Sequence, residues 1–331
     1  MTQSDLSFAY RLVMQQPWAI TKPALEALVE MAQARIAGSL RADFGDASTT
    51  PGAVGAPSGG VGVIPIRGTI KQHDASSFFD LLFGGTSADG ISRQLKAFVA
   101  DPAVRAIVLD IDSGGGTTYG MTELANEIMA ARGRKPIIAV ANSVAASAAF
   151  WLGSAADAFY ASPGALVGSI GVYILHLDMS QAAEQAGVKP TFITAGKNKA
   201  RGNEFSSLSD ADFTHIQSLV NEPYEQFVAD VARGRGVTPA AVAGGYGEGD
   251  VVTARAAKKL GMIDGVMTLD AAIAKAQTIR TKAPAGLAAE SIDIEPQARD
   301  EEADRRLRLL RWQEQYALAG AVKGGPSGYS G

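Results

Sequence analysis

Short, dense apolar runs alternate with segments whose apolar residues recur at helical spacing. VGVIPIRGTI, beginning at Val61, reads as a strand, with Pro65 favouring an edge or an irregular start. Ile91, Leu95, Phe98 and Val99 then fall on one helical face, and residues 106–112 (AIVLDID) form a buried strand. Ser113-Gly114-Gly115-Gly116 follows as a tight turn or a ligand-approaching loop, leading to a helix through Met121, Leu124, Ile128 and Met129. Further strands are predicted at 137–141, 158–161, 170–175 and 191–194, with a helix at 180–186. Residues 210–233 read as a long helix that buries Ile216, Leu219, Val220, Phe227, Val228 and Val231 and is kinked by Pro223. A last core helix, 253–260, ends at Gly261 and precedes the apolar pair Met262-Ile263. Strands alternating with helices predict an α/β fold with much parallel sheet.

The flanks follow a different pattern. Residues 1–44 predict a helical arm with two helical patterns, the second capped by Thr21, with Pro23 early and Leu25, Leu28, Val29 and Ala32 on one face. Residues 45–60 are a flexible linker by composition, and 61–282 are the globular domain. Residues 283–331 begin as a tether and continue as a charged amphipathic helix. That helix is acidic first (Asp300, Glu301, Glu302) and basic later (Arg305, Arg306, Arg308, Arg311), with Leu309, Trp312 and Tyr316 on one face. The patch Phe78, Phe79, Leu81, Leu82 and Phe83 reads as a packed loop or short helix, or else as a flap or subunit contact.

Composition narrows the function classes. With 331 residues, 47% of them apolar, the chain has material for a sizeable core, which excludes global disorder. A net charge of −4 argues against nucleic acid as the main partner. Cysteine is absent, which removes disulfides, thiolate nucleophiles and cysteine metal sites. The N-terminus lacks the basic end and apolar run of a secretory signal, and no apolar run approaches the ~20 residues of a membrane span. The expectation is a soluble cytoplasmic protein with no membrane partner.

The candidate chemistry lies in residues 141–171, ANSVAASAAFWLGSAADAFYASPGALVGSIG. A strand that delivers Ser147 into the first turn of a small-residue helix aims a nucleophile. For its base the chain offers His73, His176 beside Asp178, and His215. It also offers Lys197 and Lys199 in TAGKNKARG, because a lysine serves as base when burial lowers its pKa. The run of glycines after Asp112 lets backbone N–H groups approach an oxyanion. Neither a Walker pattern nor G-x-G-x-x-G is matched there, which weakens a phosphate site.

Taken together, the strand ending in Asp112-Ser113-x-Gly-Gly, then AAS-small-small-aromatic, GSIGV and G-x-x-K resemble the signal peptide peptidase A family. The phage head-maturation (capsid assembly) proteases are the more similar branch. The resemblance spans roughly 61–267, includes VVTARAAKKLGMIDGV, and extends to the N-terminal PW segment and the helix after it. It implies a Clp protease/crotonase-like fold of stacked ββα units and a Ser–Lys dyad that needs neither metal nor cofactor. By the same resemblance Ser147 is the nucleophile, Lys199 the base, and Ser169 the residue that orients the lysine. Gly115 or Gly116, together with Ala148, supplies the oxyanion hole. Two departures stand out: Gly114 where the family has proline, and Ala148-Ala149 where it has glycines. The implied activity is a serine endopeptidase acting on capsid and scaffold proteins, with the portal or prohead as a further partner. The implied assembly is a ring-like homo-oligomer whose neighbouring subunits complete each active site. A housekeeping peptidase of the same family and a crotonase-like acyl-CoA enzyme or scaffold are the alternatives.

Overall fold

The computed structural model describes residues 16–36 (side chains to residue 30), 59–74 and 85–279. The first N-terminal helical pattern, most of the linker, the Phe78–Phe83 patch and the tail helix lie outside the described residues.

The elements in chain order are β1 (Trp18–Ile20), α1 (Lys22–Ile36), β2 (Val61–Lys71), β3 (Thr86–Ser87), α2 (Ala88–Ala100), β4 (Ala106–Thr117), α3 (Met121–Ala131), β5 (Ile137–Ala146) and α4 (Ala148–Ser154). They continue with β6 (Ala158–Ala161), β7 (Leu166–Gly168), α5 (Ser180–Gln185), α6 (Asp210–Arg235), α7 (Pro239–Gly245), β8 (Val251–Thr253), α8 (Ala254–Lys259), β9 (Gly265–Val266) and α9 (Leu269–Thr278). The α/β expectation holds. A parallel sheet runs in the order β3-β2-β4-β5-β6-β9.

The centre of this sheet is buried on both faces, so β4 and β5 open on apolar runs (residues 106–109 and 137–141) rather than alternating ones. One face packs Ile107, Leu109 and Ile111 against Ile91, Leu95, Leu124 and Ile128 of α2 and α3. The other packs Ala106, Val108, Ile138 and Val140 against Ala272 and Ala276 of α9. Side-chain caps set several helix starts: Ser87 accepts from Gly90 N–H, Ser209 from Asp212 N–H, and Thr268 from Ala271 N–H.

Both central strands change partners part-way along. β4 pairs β5 as far as Ser113↔Ala145, then pairs β1 antiparallel through Gly115–Thr117. β5 pairs β6 as far as Ala141, then pairs β7 through Val144–Ala146. The sheet therefore forks just before Ser147.

Several expectations need correction. Ser113 to Gly116 is neither a turn nor a loop but part of β4, because Gly115 and Gly116 gain strand partners on both edges. Residues 18–20, expected within a helical arm, form a strand by pairing with β4. The predicted strand at 170–175 reduces to one antiparallel bridge, Trp18↔Tyr173, and 191–194 forms no strand, since neither segment meets a further edge. In α6 the C-terminal half is buried (Phe227, Val228, Val231), whereas Leu219 is 46% exposed. The half before Pro223 extends past the body that covers the rest.

Candidate active site

Ser147 sits between the end of β5 and the start of α4 with φ 56° and ψ −122°. A non-glycine residue at positive φ is strained by roughly 1–3 kcal/mol and persists only where its surroundings hold it. Its N–H donates to Gly168 O (2.7 Å), and its carbonyl accepts from Trp151 N–H (2.9 Å) in the first turn of α4. Helix α4 is fully buried, and Trp151 anchors it. The indole stacks on Phe227 (4.4 Å between centroids, 5° between planes) and donates from Nε1 to Asp230 Oδ2 (3.0 Å). At the far end, Arg132 donates to the carbonyls of Ser154 (3.2 Å) and Ala155 (2.7 Å), which the helix leaves without intrahelical partners. The small residues of the AASAA run have a packing reason: Ala145, Ala146, Ala148 and Ala149 are all 0% exposed.

The glycines have one too. A Cβ on Gly116 would lie 1.8 Å from Ile70 O, and one on Gly115 would lie 2.9 Å from Ser147 Cβ. Gly115 has φ +107°, and its N–H already donates to Ser113 Oγ (3.1 Å), which in turn donates to Gly68 O (2.5 Å). At Gly114 a Cβ would meet Ala24 Cβ at 2.8 Å and Thr21 Oγ1 at 3.0 Å, so only glycine leaves α1 its packing room there. Gly116→Ala is expected to lower stability by about 3 kcal/mol or more, because its clash is with backbone that cannot rotate away. Urea unfolding followed by circular dichroism measures this.

Of the sequence-derived site residues, the structure brings Ser147, Ala148, Gly115 and Gly116 together. Ala148 is the first residue of α4, where an N–H has no intrahelical acceptor. The Ser147 hydroxyl has one long hydrogen bond, to Gly171 O (3.5 Å). Ser169 follows β7 with φ 52°, and its N–H donates to Asp250 O (2.7 Å). Its hydroxyl has no hydrogen-bond partner among the described residues.

Lys199 is not brought to Ser147. It is exposed, as is Lys197, and its N–H donates to Gly196 O (3.1 Å). The histidines do not reach Ser147 either. His73 pairs with Asp89 (2.9 Å), His176 lies against Asn203 O (3.3 Å), and His215 is exposed on α6. Asp178, held down to about 2 by Ser180 and Ser207, organises its own turn rather than a triad.

A cleft of about 450 Å3, which no local sequence pattern marks, lies beside α4. Trp151 lines it together with Pro17, Tyr119, Glu123, Leu219 and Glu222. Its walls come from Pro17 just before β1, the β4–α3 connection, α3, α4, Ile174 and α6, which no local pattern links.

Residues 129–282 match the family model of peptidase family S49. The mostly parallel sheet and flanking helices suit the Clp protease/crotonase-like α/β fold of that family. The chain is 34% identical over 185 residues to the head-tail preconnector protein GP5 of Enterobacteria phage P21, covering 56% of this chain and 36% of that protein. It is 33% identical over 179 residues to the capsid assembly protease C of Escherichia phage lambda, covering 54% and 40%. To a putative signal peptide peptidase SppA of Enterococcus faecium it is 30% identical over 176 residues, covering 52% and 50%. The aligned stretches thus span half or less of each of these relatives.

Proposed function

We propose that the chain is a serine endopeptidase that cleaves phage capsid and scaffold proteins during prohead assembly. The observation that carries the reading is Ser147 at a strained strand-to-helix turn, with Ala148 N–H and the glycine strand beside it. Ser147 Oγ attacks the peptide carbonyl, and Gly116 and Ala148 N–H groups hold the oxyanion. Gly116 is preferred over Gly115 because Ser113 engages the Gly115 N–H within its own strand, whereas Gly116 stands opposite Ala19 of β1. The amine leaves with the proton taken from Ser147, and water then releases the acyl-enzyme. Lys199 is the proposed base and Ser169 the residue that orients it. This requires residues 176–209, which pair with no strand here, to close on the site.

A second copy is the proposed means of that closure. Exposed Phe192, Ile193 and Phe213 lie on or beside this segment, with Ile193 98% exposed. The protein then works as a homo-oligomer in the host cytoplasm and the prohead. Residues 61–282 form its peptidase domain, while 1–44 and 283–331 are appendages. No helix among the described residues is long and apolar enough to cross a membrane. The names of the phage relatives favour capsid substrates over the signal-peptide remnants that other family members' names evoke.

Mass spectrometry of the protein co-expressed with its cognate capsid and scaffold proteins tests the reading. Discrete truncations of those partners are expected with the wild-type chain and none with a Ser147 variant. Truncation that persists without Ser147 overturns the assignment.

A further inference from the structure

Ser147 is 0% exposed, so no peptide bond reaches it until something moves. What lies against it is β1. Gly115 and Gly116 are paired with Thr69 and Ile70 of β2 along one edge of β4. Strand β1 therefore holds the other edge, the one facing β5 and Ser147, with Ala19 opposite Gly116 and Ile20 opposite Gly115. On its far side Trp18 exchanges both backbone hydrogen bonds with Tyr173, at 3.0 and 3.1 Å. Thr21 N–H donates to Gly114 O (2.9 Å), and Thr118 N–H donates to Pro17 O (3.4 Å). Residues 17–21 are thus an extended peptide held antiparallel between two backbone edges.

The position of this peptide relative to the nucleophile is specific. A Cβ built on Gly115 would meet Ala19 O at 2.3 Å, Ile20 Cα at 3.0 Å and Ser147 Cβ at 2.9 Å. The Ala19–Ile20 peptide bond and the Ser147 side chain therefore flank the same point. Strand addition is how a groove fixes an extended peptide without reading every side chain, leaving alternate residues for pockets. The cleft lined by Pro17 and Trp151 continues the groove at the N-terminal end of β1.

We infer that residues 17–21 occupy the substrate groove as an internal pseudosubstrate, and that a protein substrate enters only after β1 has left. This rests on the proposed chemistry of Ser147. Two further observations agree. The Tyr173 hydroxyl is buried with no hydrogen-bond partner among the described residues, as a groove side chain is when the occupant offers it no acceptor. Burial, with Glu26 of α1 adding to it, pushes that phenol up to about 12. Gly114, in turn, gives the helix following β1 its room, since a Cβ there would lie 2.8 Å from Ala24 Cβ.

The test is a disulfide that locks the occupant in place. A hydrogen-bonded antiparallel pair has Cα atoms ~5.5 Å apart, within disulfide range, and the chain has no native cysteine to compete. In the full chain carrying Trp18→Cys and Tyr173→Cys, the oxidised form should hydrolyse an unfolded protein substrate at least about 100-fold more slowly than the reduced form. Reduction should restore the rate. Trp18→Ala, which removes the buried anchor of β1, should raise the rate of the full chain roughly tenfold. Circular dichroism confirms that each variant is folded. Equal Ser147-dependent rates in oxidised and reduced forms, or a folded Trp18→Ala no faster than its parent, overturn the pseudosubstrate and leave the nucleophile standing. Absence of Ser147-dependent hydrolysis from every reduced form overturns the peptidase reading and this inference with it.

Discussion

Ser147→Ala should lower peptide hydrolysis by at least about 10^4-fold, the scale on which serine nucleophiles matter in acyl transfer. Stability should change little. Among the described residues the hydroxyl makes one hydrogen bond, at 3.5 Å to Gly171 O, so its removal costs at most about 1 kcal/mol. Ser147→Gly separates the two roles of the position further. It should be equally inactive yet more tolerant of the backbone, because φ 56° is strained for alanine and serine but not for glycine. Rates measured on an unfolded protein substrate, together with urea midpoints for the three forms, check the set. Loss of activity accompanied by loss of fold in Ser147→Ala would make the serine a packing residue.

The second large effect concerns the base. Lys199→Met is expected to slow hydrolysis by about 10^3-fold, within the range for a general base, whereas Lys197→Met should change it less than about threefold. The contrast matters because both lysines are exposed in the single chain and neither touches Ser147. An ammonium group in water keeps its proton, so a lysine base has to be carried out of water before it can accept one. Activity should accordingly depend on protein concentration if a second copy closes residues 176–209 over the site. Rates measured across a dilution series, with sedimentation run in parallel, report this. Equal effects of the two lysine variants would move the base elsewhere.

Closure of that segment and departure of β1 are compatible events. Tyr173 lies at the start of the same stretch and holds Trp18 through its backbone. A rearrangement that pulls Tyr173 into a regular strand would loosen one of the two edges that retain the pseudosubstrate.

The sequence by itself determined the parallel core and most of the helices and singled out the Ser147 segment, but it took 253–260 as the last core helix and so missed α7 and α9. Buried parallel strands lack polar faces, so 106–112 and 137–141 stand out as apolar runs. Capped amphipathic helices announce their own starts, as those after Ser87 and Ser209 do, whereas the cap at Thr268 went unread. The small residues around Ser147 were legible because close packing leaves no alternative to them. Only the tertiary structure decided what pairs with what at the fork. Three residues such as Trp18–Ile20 carry no periodicity, and they become a strand because β4 offers an open edge beside the nucleophile. The same rule explains the opposite outcome at 191–194, where β-favouring residues meet no edge and stay irregular. Backbone pairing is a property of the partner as much as of the segment. The Ser147 segment could therefore be singled out as the candidate site from the chain alone, while the strand that covers it and the exposure of Lys199 could not.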